Sequence, residues 1–369
     1  MTRFAPPPCS RRTILAGGAA LLAMPALARG AGGATLVAGT YASEGGGGLY
    51  PLTATAGGWT AGTPDGAIRN ASFGVASARH GLRYLLDENA QGGLGIYDRH
   101  GRRLAARSTG GADPCHAALS PDGRRLAIAN YSSGSVAVWQ LDPATGLPRG
   151  EAAIARHRGS GPVAARQAGP HAHWVGFSGD GRWLHAVDLG ADAVFAHRID
   201  PRTGGFGETR VAFRTAPGAG PRHLARHPRL PVAYLVAELA NTLTVLGAEG
   251  DGSFRARGTL STLPQGFGGA SNAAHIAINA AGTRLYVSNR GHDSIAVLAL
   301  AANGDARLLQ HVACGGHWPR FFLLLEERGA MLVANERSGT IATLAVAGDG
   351  RLSPTGRSVA VPGVVFLAR

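Results

Sequence analysis

Lysine is absent from this chain of 369 residues: its 36 basic side chains are all arginine, set against 23 acids. With 56 Gly, 21 Pro and abundant Ala, that absence reflects a bias toward GC-rich codons and says little about chemistry. The formal net charge is +13, and setting aside residues 1–28, with Arg3, Arg11 and Arg12 and no acid, leaves 33 minus 23, about +10. Aromatics are scarce, at 6%, and no basic run alternates with them. A diffuse positive field draws in small anions, but this distribution does not describe a nucleic-acid surface, and no nucleic-acid partner is expected. There are only three cysteines: Cys9 near the N-terminus, and Cys115 and Cys314 in different repeats, so no disulfide is expected. Familiar catalytic signatures are missing too. There is no HExxH, no CxxC and no Walker loop, and Gly176-Phe177-Ser178 runs on to Gly179-Asp180 instead of completing GxSxG. Conventional zinc, nucleotide and serine chemistry lacks support, and neither a metal nor a cofactor is expected.

What the chain does have is a repeat. Five clear copies begin at Pro114, His171, Pro221, Ala274 and Pro319, each an apolar run, a tight turn such as Ser120-Pro121-Asp122-Gly123, a second run, a polar turn and a third run. A period of roughly forty to fifty residues made of short β-branched runs is the mark of a β-propeller. The length predicts an all-β, seven-bladed propeller of four-stranded antiparallel blades, a single domain over 34–369. The C-terminal run Ser358 to Leu367 is expected to add a strand to the blade begun near Thr35 and so close the ring.

Each copy opens with His or Arg (His116, His173, His223, His275, Arg320) and reaches an acid or amide fourteen or fifteen residues later (Asn130, Asp188, Glu238, Asn289, Asn335). In a meander the start of strand one lies beside the end of strand two, so these positions are expected to converge at one mouth of the central channel, the default place for a site. The same positions would also suit bonds between blades. Adjacent strand residues point to opposite faces, which argues against Cys115 and His116 acting as thiol and base. His171 and His173 share a strand face, as metal ligands would, but a lone HxH pair more often packs. Two GxGP segments, Gly159–Pro162 and Gly218–Pro221, read as turns just before blade starts.

Residues 1–28 resemble a twin-arginine export signal: Ser10-Arg11-Arg12-Thr13-Ile14-Leu15, the apolar stretch Ala16 to Met24, and Ala26-Leu27-Ala28 as a small-residue cleavage site. The apolar stretch is short of the roughly 20 residues a spanning helix needs. A periplasmic or secreted protein is expected, with no membrane association once the signal is removed.

The strings GSGPVAARQAGPHAHWVGFSGDGRWLHAVDLG, PGAGPRHL and YVSNRGHDSIAV, and the Trp318-Pro319-Arg320 triplet, resemble the seven-bladed lactonase family, which holds the propeller-type 6-phosphogluconolactonases and the fungal muconate-lactonizing enzymes. The likeness runs from about Thr35 to Val365. It implies a 6-phosphogluconolactonase-like sugar-lactone hydrolase acting on a small sugar lactone. By motif it places catalytic roles on His173, Arg222, Glu238 and Arg290, with His116, His171, His223, His275, Asn289 and Arg320 as candidate substrate-binding residues. Glu238 or His173 would serve as base, and the arginines would hold the oxyanion or an anionic group. A structural ion pair between Glu238 and Arg222 is the lesser alternative. Export points to an unphosphorylated lactone such as glucono-1,5-lactone. Alternatives are a non-catalytic binding propeller, a muconate-type cycloisomerase, and a metal-dependent six-bladed gluconolactonase.

Overall fold

The computed structural model describes residues 1–2 and 35–369; the export signal expected over 1–28 lies, from residue 3 on, outside the described residues. Seven four-stranded antiparallel sheets make the seven blades. Six are consecutive meanders, numbered here 1 to 6, over 74–108, 114–156, 172–214, 221–261, 272–313 and 319–360. In blade 7 the innermost strand, Val364–Ala368, comes from the C-terminus and pairs with Thr35–Thr40, which continues into Leu49–Thr55 and Gly58–Ala61. The closing strand is shorter than the expected Ser358 to Leu367. Ser358 belongs to the outer strand of blade 6, Leu352–Ala360, and the chain then turns at Pro362-Gly363, where Gly363 has φ 63°.

Middle strands such as Trp183–Asp188 and Val232–Ala237 are buried throughout, whereas the outer strand Pro148–Arg156 is largely exposed. Both faces of a blade pack on neighbours, so its middle strands read as unbroken apolar runs instead of alternating. Between blades 4 and 5, for example, Val232, Tyr234 and Val236 pack against Leu285, Val287 and Ala296. Each large buried side chain there contributes roughly 1.5–3 kcal/mol. A repeated polar tie joins neighbouring blades: Tyr84, Tyr234 and Tyr286 donate to the carbonyls of Gly146, Gly304 and Gly350 at 2.6, 2.6 and 2.8 Å. His185 takes the same place in blade 3, its Nε2 lying 2.8 Å from the Gly252 carbonyl.

One local irregularity recurs and shapes the channel. In five inner strands the register against strand two slips at the same point: between Pro114 and His116, Ala172 and Trp174, Pro221 and His223, Ala273 and Ile276, and Pro319 and Phe321. Such a bulge breaks strict alternation. Cys115 and His116 both face inward, and Arg222 Nη1 lies 3.1 Å from His223 Nε2. The expectation that Cys115 and His116 turn apart is thereby corrected, and Arg222 and His223 behave in the same way.

Candidate active site

The bulges sort the channel side chains into tiers. Uppermost are the residues at or just past the end of strand two of each blade, among them Tyr41, Glu88, Tyr131, Glu238, Arg290 and Glu336. Next come the residues at the bulge, including Cys115, His173, Arg222 and Arg320, and then the residue after it: Phe73, His116, Trp174, His223, His275, Phe321 and Phe366. Six of this last tier form a closed circuit of rings. Successive centroids are 5.1 Å apart for Phe366 and Phe73, 4.2 Å for Phe73 and His116, 5.2 Å for His116 and His223, 5.7 Å for His223 and His275, 4.0 Å for His275 and Phe321, and 5.3 Å for Phe321 and Phe366. These rings floor the mouth.

Above that floor lies a cavity of about 180 Å³ lined by Glu88, Cys115, Tyr131, Arg166, His173, Glu238, Arg290 and Arg320. At the roughly 30 Å³ each water takes in the liquid, it has room for about six waters. Larger hollows of about 370 Å³ occur between neighbouring blades at the turns that carry the repeated tyrosine and histidine ties, around Gly252 and around Gly350. They follow from the blade repeat, whereas the mouth cavity gathers buried charge.

Glu238 organises that charge. Arg166 Nη2 donates to its Oε1 at 2.7 Å, while Arg290 Nη2 and Arg222 Nε approach Oε2 at 2.8 and 3.0 Å. The Arg222 contact is an ion pair without hydrogen-bond alignment. Burial alone would raise the Glu238 carboxyl, but Arg290, Arg222 and further positive neighbours overcome it and hold it well below the usual carboxylate range. Burial and the neighbouring Arg290 bring Arg222 down to about 9, so it stays charged near neutral pH. Burial, then Arg222, holds His173 well below 6.5, hence neutral. Its Nδ1 lies 3.8 Å from Cys115 Sγ, and its Nε2 makes no hydrogen bond among the described residues.

Of the residues singled out from sequence, His173, Glu238, Arg290 and Arg320 line the cavity and Arg222 lines the recess beneath it. His116, His223 and His275 belong to the floor. His171 lies to the side, stacked on Tyr131 at 4.5 Å, with Nδ1 3.1 Å from the Tyr131 carbonyl. Asn289 is not brought to the cavity: its Nδ2 donates to the Thr262 carbonyl at 2.9 Å and the Ser294 hydroxyl at 3.3 Å. Asn130 and Asn335 hold the segment that leads out of the preceding blade in the same way, at the Thr109 and Cys314 carbonyls. Asp188 binds His157 Nδ1 at 2.7 Å and the backbone N–H of His171 and Ala191. Glu238 sits one position beyond these scaffold residues, which is why it alone of the set enters the cavity. The fourteen- and fifteen-residue spacings mixed two tiers.

Sequence reasoning missed Tyr41, Glu88, Tyr131 and Arg166. The first three stand where Glu238 and Arg290 stand in their own blades, a signal that was present in the repeat. Arg166 carried none. It rides on a four-residue helix, Ala164–Gln167, that separates Gly159–Pro162 from blade 3, so that GxGP segment does not directly precede a blade as expected. Cys115 and Cys314 are free and buried. Among the described residues no three His, Cys, Asp or Glu side chains are grouped as metal ligands, and no helix is long and apolar enough to cross a membrane.

Comparison with known proteins gives concordant matches. Residues 35–368 match the family described as "Lactonase, 7-bladed beta-propeller". A 6-phosphogluconolactonase of Bacillus subtilis is 32% identical over 308 residues, covering 81% of this chain and 85% of the relative. The structure of a periplasmic gluconolactonase from Pseudomonas aeruginosa superposes with a TM-score of 0.81 at 30% identity, over 90% of this chain and 98% of that one. A Lactobacillus plantarum protein superposes with a TM-score of 0.83 at 28% identity, with the same two coverages.

Proposed function

This chain belongs to the seven-bladed β-propeller lactonase family and is a lactone hydrolase, and on that premise we propose that it opens an unphosphorylated aldono-δ-lactone, such as glucono-1,5-lactone, outside the cytoplasm. The observation that carries the reading is Glu238 drawing Arg166, Arg222 and Arg290 around one small cavity beside neutral His173. These arginines are already committed to a carboxylate, and Arg320 donates to the Tyr41 hydroxyl at 2.6 Å. The similarity to a periplasmic gluconolactonase and the twin-arginine-type leader support the same choice.

In this mechanism His173 is the base, because both Glu238 oxygens are taken by guanidinium groups and are weakly basic. A water gives a proton to His173 Nε2 as its oxygen bonds to the lactone carbonyl carbon. The developing oxyanion is met by guanidinium N–H groups held in place before the reaction, a contribution of about 100-fold or more per donor in comparable sites. The ring C–O bond then breaks, its electron pair passing to the ring oxygen, which must receive a proton. Initial rates on glucono-1,5-lactone and on its 6-phosphate, with spontaneous opening subtracted, test the substrate. A kcat/KM at least ten times higher on the unphosphorylated lactone is expected. A preference for the phosphate ester would overturn the choice, and activity on muconates instead of either would favour a cycloisomerase.

A further inference from the structure

The leaving alkoxide needs a proton, and neither Glu238 nor any arginine of the cavity is suited to supply it. Glu88 is a second carboxyl in the same cavity, half-buried, at the position in blade 1 that Glu238 occupies in blade 4. It also lines the recess below, together with Ser72, Cys115, His173 and Arg320. Its orientation is fixed by a directed chain: Arg320 Nη2 donates to the Tyr41 oxygen at 2.6 Å, so the Tyr41 hydrogen is free to donate to Glu88 Oε2 at 2.7 Å. Oε2 is thereby an acceptor, and an acid hydrogen on Glu88 belongs on Oε1. The Glu88 backbone is held as well, its N–H bonded to the Asn70 carbonyl at 2.9 Å and its carbonyl to Asn70 Nδ2 at 3.0 Å.

We propose that Glu88 is the general acid of the reaction, donating its Oε1 hydrogen to the lactone ring oxygen as the acyl C–O bond breaks. Two carboxyls in one cavity thus take two roles set by their surroundings. Three arginines bind Glu238 and keep it ionised, whereas burial, against the pull of Arg320, raises the Glu88 carboxyl from its ordinary value and so favours its acid form. The protons balance. His173 gains one from water, Glu88 loses one to the new hydroxyl, and the pair resets when the His173 proton passes back to Glu88, with the product carboxyl releasing one proton to solvent.

The inference rests on the lactonase reading above, and leaving-group dependence tests it. Dihydrocoumarin is a δ-lactone that expels a phenolate, whose pKa of about 10 makes protonation during bond cleavage far less necessary than for a sugar alkoxide. Glu88→Gln is expected to lower kcat on glucono-1,5-lactone about 100-fold or more, the usual range for a general acid, with KM little changed. Loss on dihydrocoumarin should stay below about tenfold. Should Glu88→Gln fail to fold, Tyr41→Phe, which frees the carboxyl from its orienting bond, should show the same selectivity at several-fold size. Equal losses on both lactones, or no loss on either, would overturn the assignment. A wild-type protein that opens neither lactone would overturn the proposed function and this inference with it.

Discussion

Glu238 is the residue on which the site depends, because its one carboxylate is shared by three guanidinium groups whose mutual repulsion it offsets. Replacing it by Gln leaves those charges uncompensated. Breaking a buried ion pair from one side costs about 3–5 kcal/mol, and a urea melt of Glu238→Gln should show a loss of that order; an unchanged midpoint would mean that the clamp carries no load. Arg222→Lys keeps the charge but gives up the planar fork that reaches Glu238, His223 and the Ala274 carbonyl together. A drop of about tenfold or more in kcat/KM is expected from steady-state kinetics, and wild-type rates would contradict the role. For His173 the sign follows from its lowered pKa: it is already neutral at pH 7, so kcat/KM should stay level as pH falls toward 6.5 and decline only below it. A decline centred above pH 7 would point to another base.

At the scale of strands, the floor ring makes a prediction of its own. His116 and His223 are held well below 6.5 and His275 is down to about 3, in each case by burial first. In the unfolded chain they titrate near 6.5, so their contribution to stability is complete above that pH and is lost as pH falls toward the folded values. Three protons taken up on unfolding correspond to a slope of about 4 kcal/mol per pH unit. Urea midpoints should fall steeply from pH 6.5 to 5, and a flat profile would mean that the rings are not buried in solution. The ring also shows what the sequence made legible. The repeat gave the strand order, the chain length the blade number, and the polar positions at the strand ends the mouth as the meeting place. Depth within the channel was not legible. A one-residue bulge shifts His116 and His173 into different tiers, and only the pairing of Pro114 with Asn130 and of Ala172 with Asp188 reveals it. Arg166 was beyond reach for a different reason: its place in the site is set by a loop between blades, where no periodicity applies.

For the whole molecule, ring closure and location are the open tests. The strand Val364–Ala368 is the inner strand of a blade whose other strands come from the opposite end of the chain. Its Val365 and Phe366 stand in the bulge and floor tiers. Deleting residues 364–369 should expose a sheet edge and break the ring circuit, lowering the melting temperature and producing aggregates on size exclusion; a monomeric, equally stable protein would show that closure is dispensable. Replacing Arg11 and Arg12 together by Lys should keep a fusion reporter in the cytoplasm, and continued export would reject the twin-arginine route. The role of Glu238 is tested most directly by hydrolysis of glucono-1,5-lactone by wild type and Glu238→Gln side by side, with spontaneous opening subtracted. Wild type is expected to accelerate ring opening, and the variant, still folded by circular dichroism, to fall by about 100-fold or more. A folded Glu238→Gln variant that matches wild type would contradict it.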